Sequence, residues 1–208
     1  YVGQMREIVE GLTGSTCLFV QGACGKINPV IMEKSYEPAR TLGTRLGCEV
    51  VRVWETLTPQ PTRGLQVHSK PIQLPRMRYG SRENAEARVQ ALEGDLARLK
   101  ASEDTFEGSI RWTEKRLARA RAALESWTTG QPLDPIETEL QAWRLGDTAL
   151  ALAPSEIFNQ IGATVKAQSP FEDTFFVGYA NDALGYIPIP EVYAEGGYEV
   201  TDASRVDP

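Results

Sequence analysis

The stretch TALALAPSEIFNQIGATVKAQSPFEDTFFVGY (Thr148–Tyr179) decides the fold class. Thr148 to Leu152 is a short apolar run of strand length. Pro154-Ser155-Glu156 then opens a helical pattern that runs from Ile157 to about Gln168, with Ser155 as the expected N-cap. Thr174 to Tyr179 reads as a second, buried strand. A strand, a helix and a strand in close succession point to an α/β protein with mixed sheet layers flanked by helices.

Working outward, Glu137 to Arg144 alternates apolar and polar residues, as a half-buried strand does. Gly64 to Leu74 alternates too, with Pro71 inside it, which predicts an extended strand at a sheet edge. Between these two, Arg82 to Trp127 contains no proline, and 18 of its 46 residues are charged, nine of each sign. Val89, Leu92, Leu96 and Leu99 step by three and four, and Ile110, Leu117 and Leu124 by seven. Two helices with a narrow apolar seam follow, an inserted antiparallel helical hairpin turning near Ser102-Glu103-Asp104.

At the N-terminal end, Met5, Ile8, Val9 and Leu12 share one helical face over Val2–Leu12. Thr16 to Val20 reads as a buried strand. A second helix is expected over Glu37–Leu57, packed through Leu42, Leu46, Val50, Val53 and Leu57, and ended by Thr58–Thr62. Ala180 to Tyr198, rich in Gly, Pro, Tyr and Asn, reads as a long loop region.

Composition narrows the function. The 208 residues carry 22 Lys and Arg against 28 Asp and Glu, a net charge of −6, with no basic block, so nucleic acid is not an expected partner. No apolar run reaches the roughly 18 residues of a membrane-spanning helix. Three cysteines, Cys17, Cys24 and Cys48, give neither a disulfide framework nor a zinc knuckle and are expected as buried free thiols. His68 is the single histidine, so a His-rich metal centre cannot be built from this chain alone. Its place on the edge strand suits a surface residue.

Gly22-Ala23-Cys24-Gly25-Lys26 is too short by two residues for a phosphate-binding loop and is followed by Ile27 instead of a hydroxyl. A Gly-rich turn after a strand is nonetheless a common place for an active-site loop. Tyr179, Tyr186, Tyr193 and Tyr198 fit neither strand nor helix periodicity, and phenols on loops suit binding or catalysis.

Three motifs occur in order: Phe19-Val-Gln-Gly-Ala-Cys-Gly-Lys-Ile-Asn-Pro29, Ala153-Pro-Ser-Glu156 and Phe176-Val-Gly-Tyr-Ala-Asn-Asp-Ala-Leu-Gly-Tyr186. Together they resemble the neutral/alkaline non-lysosomal ceramidase family, and more closely its bacterial relatives. The likeness spans about 180 residues and is weakest over the hairpin at 82–127. It implies that residues 1–208 are the C-terminal half of a catalytic domain whose N-terminal part precedes Tyr1.

The resemblance also implies a chemistry: a zinc-dependent hydrolase that cleaves an amide, ceramide or another lipid or small-molecule N-acyl substrate, with metal-activated water. Glu156 and Tyr186 correspond to the family's glutamate and tyrosine zinc ligands, and Tyr198 to a tyrosine that polarises the scissile carbonyl. The family's two histidine ligands would come from an upstream segment. Asn28 stands where the family has a required serine, and Lys26 where it has an acid. An amide is no nucleophile but can donate a hydrogen bond, so Asn28 is expected as an oxyanion donor, with Gln21, Gly25 and Asn181 as substrate contacts. Relatives are often exported to the periplasm or beyond, and a homo-oligomer is compatible with the pattern. The alternative is a non-catalytic binding protein on the same scaffold that uses the hairpin for assembly.

Overall fold

Thr148–Leu152 (β3) and Asp173–Val177 (β5) pair in parallel, joined through helix Asn159–Gln168 (α5). Ile136–Leu145 (β2) pairs antiparallel with β3 through the two-residue turn Gly146-Asp147, and Leu65–Leu74 (β1) pairs antiparallel with β2 at the edge. The result is a mixed four-stranded sheet in the order β1-β2-β3-β5, with helices beside it. In this computed structural model the described residues are 1–58 and 64–208, so the expected helix breaker at Thr58–Thr62 falls, from residue 59 on, outside them.

Pro71 costs the sheet little because β1 has only one neighbour, so a missing N–H need not break a ladder. His68, opposite Ala142 on this strand, is exposed.

Helices Arg82–Ala101 (α3) and Glu107–Thr129 (α4) form the hairpin. Ser81 caps α3 by accepting the Asn84 amide at 3.1 Å, and Gly130, at φ 74°, ends α4. The seam closes on itself through Val89, Leu92, Leu117 and Ala120, with Tyr79, Leu96 and Leu124 packed around them. Trp127 donates its indole N–H to the Arg78 carbonyl at 2.8 Å, and the Arg78 guanidinium lies 3.9 Å from the centre of its ring.

The C-terminal residues are clamped to the hairpin. Glu199–Ala203 forms a π-helical turn whose Asp202 carboxylate pairs with both Arg88 of α3 and Arg116 of α4. Arg119 adds a hydrogen bond to the Asp202 carbonyl at 3.4 Å. One carboxylate thus joins three segments.

Four expectations need correction. Thr16–Val20 is not a buried strand: Leu18 is 86% and Val20 57% exposed, and the segment finds no strand partner among the described residues. Its polar contacts run instead to Val2–Thr13 (α1), where Cys17 receives the Arg6 side chain on its carbonyl and donates its amide to Glu10. Helix Glu37–Trp54 (α2) does not pack through its leucine and valine repeat, of which Leu46 and Val53 are exposed. Its buried positions are Pro38, Gly43 and Gly47, because α1 crosses so closely that side chains there would collide. A Cβ on Gly43 would sit 2.6 Å from Gln4 Cβ, and one on Gly47 2.9 Å from Ile8 Cβ.

Ser155 is not the N-cap of α5. Glu156–Ile157 (β4) stays extended to pair with Tyr186–Ile187 (β6), so the helix starts only at Asn159, with Phe158 at the cap position. Ser155 is 1% exposed and its hydroxyl has no partner among the described residues. The cysteines are free, as expected, but not buried: Cys17 and Cys24 are half-buried and Cys48 is exposed. The loop region after Ala180 also holds short elements, β6 and a 3₁₀ turn over Pro190–Tyr193.

The α1–α2 crossing generates a paired prediction. Gly43→Ala gains up to about 1 kcal/mol of helix propensity, yet it should destabilise the protein by about 1–3 kcal/mol through overpacking. Gly94→Ala in α3, where nothing lies within 4 Å of the new methyl, should stabilise it. Chemical denaturation of both variants tests the opposite signs; a stabilised Gly43→Ala would refute the close crossing.

Candidate active site

The site is built where backbone segments stop being regular. After β3, Ala153 donates to the Val177 carbonyl and accepts from Ala180, both at 2.9 Å. Pro154 accepts from Leu184 at 3.0 Å, Glu156 donates to Gly185 at 2.9 Å, and Phe158 donates to Ile187 at 3.1 Å. This ladder sets Glu156 directly opposite Tyr186 in parallel register, thirty residues apart in sequence. Gly185, at φ 91°, is required here because a Cβ would strike the Ala203 carbonyl.

The Gly-rich turn docks onto the same ladder. Gln21 accepts the Gly178 amide at 2.8 Å, and Gly25 donates to Ile157 at 2.9 Å. A Cβ on Gly25 would lie 2.9 Å from the Glu156 carbonyl and from the Phe158 ring, so only glycine lets the turn come this close. Cys24 Sγ consequently stands 3.9 Å from Glu156 Oε1.

Glu156 is flanked by two phenols. Burial, then the hydrogen bond and the negative charge of Glu156, push the Tyr179 and Tyr186 phenols well above their ordinary value of 10. Both are therefore neutral phenols beside the carboxylate. Tyr179 sits at φ 55°, a left-handed backbone that a bulky residue rarely adopts. Tyr198 packs edge to face on Tyr186, ring centres 6.0 Å apart and planes at 78°.

A cavity of about 500 Å³ opens beside this cluster. Gln21, Cys24, Asn28, Glu156 and Tyr179 supply polar lining; Ile27, Leu42 and Leu46 supply an apolar wall. Its volume is that of a small-ligand site.

The expected site residues thus separate into groups. Glu156, Gln21 and Asn28 share the cavity; Tyr186 stands opposite Glu156 and Tyr198 packs on Tyr186, but neither phenol is among the lining residues. Gly25 is buried behind the wall and does not line the cavity. Asn181, at φ 66°, donates to Glu139 of β2 at 3.0 Å and is also absent from the lining. Tyr193 is structural: its hydroxyl donates to the Val206 carbonyl at 3.1 Å, and its ring packs on Phe158, Val192 and Val200. Tyr179, expected as a loop phenol suited to binding or catalysis, lines the cavity, whereas Cys24, expected only as a buried thiol, was not singled out as a member of the site. It lies inside a quoted motif, which was the available signal.

Two solved structures share this fold. One is a neutral ceramidase from Pseudomonas aeruginosa, with a TM-score of 0.55 and 18% identity over 97% of this chain and 36% of that one. The other is a ceramidase complexed with C2, with a TM-score of 0.60 and 14% identity over 99% of this chain and 39% of that one. The chain has a ceramidase-like fold. It spans well under half of either ceramidase chain, and identities this low establish fold alone. No protein-family model and no curated protein matches the sequence. No helix among the described residues is long and apolar enough to cross a membrane.

Within this ceramidase-like frame the donor set can be tested for metal binding. Among the described residues no three His, Cys, Asp or Glu side chains gather closely enough to hold an ion by themselves. Glu156 with the adjoining phenol of Tyr186 nevertheless offers oxygen donors of the kind zinc accepts, and Cys24 adds a thiol nearby. The residues present fit part of a zinc site.

The thiol gives a chemical test. Burial and then the Glu156 charge raise the Cys24 pKa, against weaker pulls from Tyr179 and Gln21. At pH 8 Cys24 should alkylate several-fold more slowly than exposed Cys48, since thiolate falls tenfold per unit of pKa. Glu156→Gln should speed Cys24 and leave Cys48 unchanged. Mass spectrometry after iodoacetamide pulses reads both sites, and equal rates in the unsubstituted protein would contradict the geometry.

Proposed function

We propose that this chain is part of a zinc-dependent hydrolase that cleaves an amide bond. The observation that carries the reading is the in-register pairing of Glu156 and Tyr186 at the edge of the cavity that Asn28 lines. Glu156 and Tyr186 would hold the ion, with two histidines supplied by chain outside Tyr1–Pro208. Zinc, when bound, supplies Lewis-acid polarisation of a carbonyl and acidifies water, and the positive charge would reverse the upward push on the Tyr186 phenol.

The remaining work belongs to side chains of this chain. The Asn28 amide donates to the carbonyl oxygen as charge develops on it, and the Tyr198 hydroxyl, packed on the Tyr186 ring, is a second donor. The wall of Ile27, Leu42 and Leu46 accepts an apolar arm, which suits an N-acyl or lipid amide such as ceramide. Gln21 orients the polar end. Asn28 in place of the family's serine favours a second reading, in which the same cavity binds an amide ligand without cleaving it.

Measurements on the intact protein separate the two. Metal analysis after purification should find about one zinc per chain, falling to near zero in Glu156→Ala and strongly reduced in Tyr186→Phe. Asn28→Ala should retain the fold and the zinc but lose about 10²–10³ in turnover, the usual cost of one oxyanion donor. Absence of zinc in the unsubstituted protein would refute the hydrolase. Zinc with no turnover of N-acyl amides, and ligand affinity weakened by Asn28→Ala, would favour the binding protein.

A further inference from the structure

A second, smaller cavity of about 250 Å³ lies on the hairpin side of the molecule, where Arg76, Arg119 and Arg205 line it together with Tyr79, Ser204 and Asp134. The three arginines come from three different segments: the stretch after β1, the middle of α4, and the C-terminal stretch. The first and last are laced together, with Met77 donating to Arg205 at 2.8 Å, Asp207 to Pro75 at 3.1 Å, and Arg76 bridged to Val206. Their positions are therefore set by backbone hydrogen bonds and not by mutual attraction of side chains.

None of the three forms an ion pair with a carboxylate among the described residues. Arg76 donates to the backbone carbonyl of Asp134 at 2.6 Å, and Arg119 to that of Asp202 at 3.4 Å. The Arg205 side chain has no hydrogen bond among the described residues. The nearest carboxylate pairing, that of Asp202, is already divided between Arg88 and Arg116. A protein with a net charge of −6 has thus gathered three guanidinium groups around one cavity, whose lining holds a single acid, Asp134, in ion-pair contact with none of them.

Arg119 is the informative member. It is half-buried, and burial pulls its guanidinium below the ordinary value, with the like charges of Arg205 and Arg88 adding to the effect. Partly buried cations are ordinarily paired. Each guanidinium carries five N–H donors in a planar fork, and among the described residues at most one per arginine finds an acceptor.

We propose that this cavity binds a phosphoryl group, either free phosphate or the phosphate of a small ester. Three forks from three directions, with the Tyr79 phenol beside them, match a tetrahedral oxyanion better than the two oxygens of a carboxylate. The cavity is smaller than the roughly 300–1,000 Å³ of drug-sized ligand sites, which limits the enclosed part to one such group. The site uses no residue of the Glu156 cavity, so it stands or falls independently of the hydrolase reading.

Calorimetric titration of the intact protein with inorganic phosphate, at fixed ionic strength against chloride, tests it. One saturable site is expected, with affinity lowered roughly tenfold or more in Arg119→Met and in Arg205→Gln, the range of a charged hydrogen bond. Arg111→Gln, near the hairpin tip, should bind as the unsubstituted protein does. Arg205 is exposed, so its variant keeps the test valid if Arg119→Met fails to fold. Glycerol 3-phosphate binding more tightly than phosphate would identify an ester as the ligand, and equal affinity would identify phosphate itself. Absence of saturation, or affinity unchanged in Arg205→Gln and in a folded Arg119→Met, would overturn the proposal.

Discussion

The extended backbone from Ala153 to Phe158 is the constraint on which the rest depends. Six residues connect a sheet strand to a helix, and instead of turning at once into the helix they remain hydrogen-bonded to two other segments. One side receives the strand end at Val177–Ala180 and the chain around Leu184–Ile187; the Gly25 amide reaches the same stretch at Ile157. An unpaired buried amide or carbonyl costs about 1–3 kcal/mol, so with this many backbone groups committed the stretch cannot drift. The positions of Glu156, Tyr179 and Cys24 are consequences of that lacing.

The hairpin is tied to the C-terminal segment. Its seam is self-contained, but the Asp202 pairings with Arg88 and Arg116 bring the C-terminal turn down onto it. Tyr198 immediately precedes that turn, and Ser204 just after it bridges back to Tyr186. A helical insertion that reads in sequence as an accessory arm is therefore tied, through one carboxylate, to the segment carrying a candidate active-site phenol.

Much of this was legible in the sequence, for identifiable reasons. Period-two and heptad patterns located β1, β2 and the hairpin because each of these buries at least part of one face. Thr148–Leu152 was legible as a short apolar run, and so was the strand expected over Thr174–Tyr179, which in the structure ends two residues sooner, at Val177. Thr16–Val20 was misread because an apolar run signals burial only when something covers it, and here Leu18 and Val20 are exposed. The α2 face was misread for the opposite reason: the helix packs through Gly43 and Gly47, which carry no hydrophobic signal at all. Ser155 has the composition of a cap, but strand pairing at Glu156 outcompeted helix initiation by three residues. The relation of Glu156 to Tyr186 came only from resemblance, since no local pattern links residues so far apart. Cys24 needed the three-dimensional closeness of the Gly25 turn to be noticed.

The parallel pairing of β4 with β6 has a consequence for how the protein reaches its native state. Two residues on each side cannot hold together alone, and the loop between them must close before any hydrogen bond rewards it. Within the four-stranded sheet only β2–β3 is a local hairpin; β3–β5 closes a loop almost as long, and β1–β2 a longer one that encloses the hairpin. Those pairings run over five to ten residues, whereas the Glu156–Tyr186 neighbourhood has two on each side and depends on the segments laced around it. Slow or failed closure would leave a molecule with most of its secondary structure and none of its candidate chemistry.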